Sequence, residues 1–251
     1  MLGAQATAAV AAALRAGYRL IDTAEQYGNE NGVGAAVRES EIPRDQIFVE
    51  TKLNAQWHGE DLAIEGYENS LRRLGLDHAD ILLIHWPNPW LDRYVDAWRG
   101  LIRLRDEGRV RVIGTSNFTP AHIERLLSET GVAPEINQIE LDLTLPRNEW
   151  RAFHESHGIL TECWSPLGRG ALLSDPFVTT VSTRHGKTPA QVVLRWHVQL
   201  GLIPVVSTSN PAWIAENIDV FDFELTAEDL LVLEGLDHGR APARDPENHG
   251  H

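Results

Sequence analysis

The chain has 251 residues, 43% hydrophobic and 23% charged, which is ample for a sizeable core in one large α/β domain or two smaller ones. Its net charge of −14 argues against nucleic acid and anionic membrane surfaces as partners, while leaving room for a local basic pocket that takes an anionic small ligand. Cys163 is the only cysteine, so no intramolecular disulfide or cysteine-based metal cluster can form; a reducing cytoplasm is the expected setting, no metal is expected, and no apolar run is long enough to span a bilayer. The chain opens on an alanine-rich run, Ala8–Leu14. No positive segment precedes it and Arg15 follows it, the wrong order for a signal peptide. It reads as a helix with Thr7 as cap and Gly17 as stop. Next comes a strand, Tyr18–Thr23, with Asp22 near its carboxyl end. Tyr27 follows on a loop where Gly28 and Asn29 supply turn chemistry. Further strands are expected at Ile47–Leu53, Asp80–His85, Val110–Thr115, Ile136–Leu141, Leu160–Ser165 and Leu202–Ser207. Helical patterns lie between and after them at Val33–Glu39, Leu62–Leu74, Val95–Glu107, Ala121–Glu129, Glu149–His157, Pro189–Gln199, Ala212–Asn217 and Ala227–Leu236.

Most of these strands are short apolar runs without strict alternation, which suits a parallel sheet buried on both faces. Gly75 and Gly108 end helices, and Thr119-Pro120 and Thr188-Pro189 each read as a cap followed by a first-position proline. Repeated β–α units without a Gly-x-Gly-x-x-Gly turn favour a (β/α) barrel over a doubly wound nucleotide-binding sheet. There is no internal linker, so 1–251 reads as one domain. Residues 240–251 read as a polar tail, laid over the surface or partly disordered. The strand count is awkward, since a closed barrel of this kind needs eight. The eighth would precede Met1.

Polar residues gather where these strands end: Asp22, Lys52, His85, then Ser116 and Asn117, Gln138 and Glu140, Ser165, and finally Ser207 and Thr208. In a parallel barrel such positions converge at one mouth. Each has an ordinary structural reading: an Asp–Lys salt bridge, a satisfied histidine, strand-end caps.

Taken together and in order, the segments Gly17-Tyr18-Arg19-Leu20-Ile21-Asp22-Thr23-Ala24, Thr51-Lys52-Leu53, Leu83-Ile84-His85-Trp86-Pro87, Gly114-Thr115-Ser116-Asn117-Phe118, Asn137-Gln138-Ile139-Glu140 and Trp164-Ser165-Pro166-Leu167-Gly168 resemble the motifs of the aldo-keto reductases. The resemblance covers nearly the whole chain and is similar in flavour to bacterial 2,5-diketo-D-gluconate reductases. It implies a (β/α)8 TIM barrel, here lacking the family's N-terminal hairpin and first strand. It also implies reversible hydride transfer between NADPH or NADH and a carbonyl, with a catalytic set of Asp22, Tyr27, Lys52 and His85. Tyr27 would be the general acid. Lys52 would favour its phenolate, Asp22 would hold Lys52, and His85 would orient the carbonyl.

The same resemblance implies that Trp164 stacks on nicotinamide, that Ser116, Asn117 and Gln138 bond its carboxamide, and that Ser165 and Leu167 lie over the pyrophosphate. At the adenosine end, Ser207, Thr208 and Trp213 stand where the family has Lys, Ser and Arg, ahead of a matching Glu216-Asn217. Both cations that grip a 2′-phosphate are absent. Dual or NADH-leaning use is expected, with Trp213 stacking on adenine, unless another base such as Arg169 reaches the phosphate. Asp142 also departs from the family pattern. Trp57 and Trp86 are expected in the substrate pocket, and the short segment after Leu236 suggests an open pocket with a broad substrate range. The reading is a carbonyl reductase. The alternative is a nicotinamide-binding barrel without efficient catalysis because the first strand is missing. Sugar ketones, methylglyoxal-like aldehydes and aromatic aldehydes all fit as substrates, and either a monomer or a weak homo-oligomer is expected.

Overall fold

In the computed structural model, which describes residues 1–251, seven strands pair in parallel in chain order. They are β1 (Leu20–Asp22), β2 (Phe48–Leu53), β3 (Ile81–Ile84), β4 (Val112–Ser116), β5 (Ile136–Glu140), β6 (Leu160–Trp164) and β7 (Ile203–Val205). Helices surround them: α1 (Gly3–Ala16), α2 (Glu30–Arg38), α3 (Glu60–Leu74), α4 (Tyr94–Asp106), α5 (Pro120–Thr130), α6 (Asn148–Ser156), α7 (Pro176–His185), α8 (Pro189–Gln199), α9 (Pro211–Ile218) and α10 (Ala227–Glu234). The result is a TIM-type barrel, nearly closed, with no ladder between β1 and β7. No helix is long and apolar enough to cross a membrane.

The strand ladder sorts side chains by parity. Successive residues of a strand face opposite sides, so on β3 Leu82 and Ile84 join the core against the helices while Ile81 and Leu83 fill the interior with Ile136, Leu20 and Val112. On β2 Val49 and Leu53 join the helix-side core, and the Thr51 hydroxyl donates to Glu30 Oε1 of α2 at 2.7 Å. Glu50 and Lys52 are therefore left facing inward. A second apolar cluster, including Leu141, Cys163, Val192, Val193, Trp196 and Leu233, packs β5 and β6 against α7, α8 and α10.

Caps fix where the helices start. Thr119 and Thr188 both accept from the third helical backbone N–H and are bonded back by His122 and Gln191, so both Thr-Pro signals mark real starts. The first helix starts earlier than expected, at Gly3. Thr7 is inside it, where its hydroxyl donates to the Gly32 carbonyl at 3.0 Å and ties α1 to α2. Gly17, at φ 110°, does stop that helix. Helix α7 was not expected from periodicity because Val178, Thr179, Thr180, Val181 and Thr183 have weak helix propensity. It is set by its ends: Asp175 accepts from the Phe177 and Val178 amides, Pro176 takes the first position, and Gly186 closes it in the left-handed region.

Candidate active site

Parity and strand length bring the polar strand ends to one mouth. Asp22 is the last residue of β1. Lys52 is one residue from the end of β2. His85 follows β3 directly, its amide still bonded to Leu53 O at 3.0 Å. Tyr27 closes a short 3-10 turn, Glu25–Tyr27, that β1 feeds. The Lys52 ammonium pairs with Asp22 Oδ1, donates to Thr23 O at 3.1 Å, and stands 5.3 Å from the Tyr27 ring centre. The His85 ring meets Tyr27 edge-on, with centroids 5.7 Å apart. Lys52 and His85 are buried, whereas Tyr27 is 40% exposed and opens on the cavity.

Electrostatics set the protonation of this group. Burial pulls against the Lys52 ammonium, but Asp22 first, then Tyr27 and Glu50, hold its pKa above the usual lysine range. Burial pushes the Tyr27 phenol up, and Asp22 and Glu50 add to the rise; Lys52 opposes them without cancelling them. His85 is driven well below the ordinary histidine range by burial, then by the charges of Lys52, His251 and Arg244. So Lys52 is an ammonium, Tyr27 a neutral phenol and His85 a neutral imidazole.

The cavity that Asp22, Tyr27 and His85 line has a volume of about 1150 Å³ and runs from the mouth into the seam between β1 and β7. Ser116, Asn117, Gln138, Trp164, Ser165, Ser207, Thr208, Asn217 and Trp86, all named from the sequence, line it together. Asn117 is a hub with φ at 62°: its amide donates to His85 O and to Ser116 Oγ, each at 3.0 Å, and its carbonyl accepts from the Trp164 indole at 2.8 Å. Asn117 thus locks His85 and Trp164 to each other. The Gln138 amide nitrogen is turned into a cluster of carboxylates, 3.2 Å from Asp22 Oδ1 and 2.9 Å from Glu50 Oε1.

Five expected residues lie outside the cavity lining: Lys52, buried behind Tyr27, and four more. Trp57 donates its indole N–H to Glu25 Oε2 at 2.7 Å and packs on Gly66 of α3, where a methyl group would sit 2.6 Å from its ring. Leu167 packs on the core formed by β5 and β6. Trp213, on α9, is mostly exposed, and Glu216 accepts from the Thr188 hydroxyl at 2.7 Å, joining α9 to the cap of α8.

Residues 240–251, expected as a polar tail laid over the surface or partly disordered, have a part in the site that no motif marks. They cross the mouth as a strap, which corrects the expectation of an open pocket. Arg240 pairs with Glu140 at 3.1 Å and with Asp142 at 2.9 Å, so the unexplained Asp142 is an anchor. Glu247 pairs with His122 Nε2 at 3.1 Å. Further along, the His249 ring lies 4.7 Å from Trp86, Ala55 N donates to His251 O at 2.9 Å, and His251 Nε2 is 3.2 Å from His85 Nδ1. Gly250 passes so close to Asn88 that a methyl group there would overlap its side chain. Arg244, His249 and His251 join Arg169 in the cavity wall.

An acid, a lysine, a phenol and a histidine at the mouth of a parallel barrel suggest a family, and comparison with known proteins identifies it. The sequence model of the Aldo/keto reductase family matches residues 3–237. An aldo-keto reductase of Mycolicibacterium smegmatis is 50% identical over 238 residues, 95% of this chain and 86% of that protein. The 2,5-diketo-D-gluconic acid reductase B of a Corynebacterium species is 48% identical over 98% of this chain and 90% of its own length. Among solved structures, a mutant of Gox0644 in complex with NADPH superposes with a TM-score of 0.93 at 43% identity, covering 99% of this chain and 91% of that one. With sequence, barrel and mouth in agreement, this chain belongs to the aldo/keto reductase family of oxidoreductases.

Proposed function

We propose that the chain reduces aldehydes or ketones to alcohols with NADPH or NADH, Tyr27 acting as general acid. One observation carries this reading: a neutral phenol opens on the cavity with a buried ammonium behind it and a neutral imidazole at its edge. When a carbonyl carbon gains hydride, negative charge grows on its oxygen and must be met by a proton. Tyr27 is loaded for that step, because its raised pKa keeps it protonated at neutral pH. Lys52, held by Asp22, stabilises the phenolate left behind. Neutral His85 offers an N–H to the same oxygen, and Asn117 fixes its backbone in place.

The residues present fit a nicotinamide cofactor. The half-buried Trp164 supplies an aromatic face on the cavity wall, Ser116 and Asn117 lie beside it, and Ser165 continues the wall toward Arg169, Ser207 and Thr208. A reduced nicotinamide, when bound there, supplies the hydride. At the adenosine end no cation stands at 207 or 213, which favours dual or NADH-leaning use. Arg169 lines the same cavity and is the residue that would restore a 2′-phosphate grip. Similarity to a diketo-gluconic acid reductase, with Arg244 in the wall that holds His85, favours substrates whose carbonyl is accompanied by a carboxylate.

The β1–β7 seam opens the cavity and favours a second reading, nicotinamide binding without efficient turnover. One experiment separates the two. Purified chain is assayed with a reactive aldehyde and each cofactor, beside Tyr27→Phe, with cofactor binding followed by fluorescence. The expected result is turnover that Tyr27→Phe lowers by about a hundredfold or more while cofactor still binds, with comparable KM for NADH and NADPH. Binding without turnover would favour the second reading, and a large NADPH preference would overturn the cofactor assignment.

A further inference from the structure

Beneath Lys52 the barrel holds two carboxyl groups that the proposed reaction does not use. Glu50 of β2 and Glu162 of β6 are both 0% exposed. A single nitrogen, Nε2 of Gln138, lies 2.9 Å from Glu50 Oε1, 2.9 Å from Glu162 Oε2 and 3.2 Å from Asp22 Oδ1. A primary amide carries two hydrogens, so it cannot serve all three acceptors. The other oxygens, Glu50 Oε2 and Glu162 Oε1, meet no donor. If Asp22, Glu50 and Glu162 were all ionised, three buried or part-buried anions would face one ammonium, Lys52. Uncompensated buried charge is avoided by taking up a proton, and that proton is also the donor the orphan oxygens lack.

We propose that Glu50 and Glu162 hold one proton between them, and that this shared proton makes Glu50 a positioning residue for Lys52. Burial pushes both carboxyls up, Glu50 the further; the charge of Glu162 adds to the rise at Glu50 and the charge of Asp22 to that at Glu162, where the bonds to Gln138 and Glu50 pull the other way. Glu50 Oε1 is 3.4 Å from Lys52 Nζ. While Glu50 is protonated, the ammonium answers to Asp22 and Thr23 O alone, and the rest of its field falls on Tyr27. When the pair gives up its proton, a second carboxylate stands beside the ammonium and the Tyr27 phenolate is disfavoured. The remaining groups facing the pair are Asp22 from β1, Gln138 from β5 and Tyr27 from its turn; Cys163, next to Glu162 but on the helix side of β6, has a thiol pushed up by burial and then by Glu162. The effect on rate rests on the proposed reduction, but the shared proton does not.

The test uses Glu50→Gln and Glu162→Gln in the full chain; glutamine has the shape and neutrality of a protonated glutamic acid. Infrared difference spectra at neutral pH should show a carboxylic acid carbonyl band in the parent that both variants lose. Because acids with raised folded pKa values bind extra protons in the folded state, the stability that these two contribute is full below about pH 4.5 and is lost as pH rises through their folded values, and that loss should be smaller in Glu50→Gln. In the alcohol-oxidation direction, the ratio of kcat at about pH 10 to that at about pH 8 should be higher by about threefold or more in Glu50→Gln. Carboxylic-acid regions that superimpose would overturn the shared proton. A band lost without any change in the pH profile would overturn the positioning of Lys52. If the parent shows no turnover the functional reading fails, and the infrared and unfolding results still decide the pair.

Discussion

His85 and His251 share one hydrogen bond, Nδ1 to Nε2 at 3.2 Å, and both are driven below the ordinary histidine pKa, so both are neutral at neutral pH. A neutral imidazole donates from one nitrogen and accepts at the other. If His251 donates to Nδ1, His85 keeps its proton on Nε2 and presents a donor to the carbonyl oxygen. If the bond runs the other way, His85 has no second N–H to offer. Ala55 N, bonded to His251 O, holds that partner in register. His251→Ala should therefore lower kcat by roughly tenfold with a smaller change in KM, and His251→Gln, which keeps an N–H donor, should recover part of the loss. Equal kcat in all three proteins would show that His85 sets its own tautomer. At this scale the sequence was unevenly informative. Asp22, Tyr27, Lys52 and His85 lie in short motifs at strand ends, so residue type and neighbours announce them. His251 lies 166 residues from His85 in an aperiodic segment, and nothing local marks such a contact. Trp57 shows the opposite failure: its motif suggested a pocket, but Glu25 took its N–H and Gly66 left room for its ring on α3.

Among the elements, strands were the most readable, because each is a short apolar run between turn residues and parity then dictates what faces inward. β2 shows how: Phe-Val-Glu-Thr-Lys-Leu sends Val49, Thr51 and Leu53 outward and leaves Glu50 and Lys52 inside. Helix ends were readable wherever Thr-Pro or Gly marked them. α7 was not, since its β-branched interior gives no helical signal and its caps matter only once α8 and α10 are there to pack on it. The strap of residues 240–251 was the largest surprise, for its shape comes from ion pairs rather than periodicity. Arg240 bonds Glu140, Asp142 and Thr144, and the two carboxylates are buried. Removing their cation leaves Asp142 its bonds from Thr144 and Glu140 the Ala243 amide but takes the counter-charge from both, a loss of about 1–3 kcal/mol. Arg240→Ala should release the strap: limited proteolysis should cut beyond residue 240 more readily, and KM should rise for small aldehydes that depend on the enclosed pocket. Unchanged proteolysis would mean that Glu247–His122 and the histidine contacts hold the strap alone.

For the molecule as a whole, the decisive feature is a sheet with two ends. A closed barrel has no free edges, whereas here β1 and β7 each have one sheet neighbour and face each other across the cavity. Unpaired strand edges invite pairing with another chain, but a net charge of −14 opposes the approach of a second copy. The seam is therefore expected to stay open in the free chain, with a local stability below that of the opposite side, where β3 and β4 are paired on both flanks. Hydrogen exchange followed by mass spectrometry reads this directly. Peptides covering Leu20–Asp22 and Ile203–Val205 should exchange about tenfold or more faster than those covering Ile81–Ile84 and Val112–Ser116. Adding NADPH should slow exchange at β7, because Ser207 and Thr208 follow it in the same cavity wall, and should leave β3 and β4 unchanged. Equal protection on the two sides without cofactor would mean that the edges are paired in solution, and sedimentation at rising protein concentration would then show whether a second copy supplies the strand.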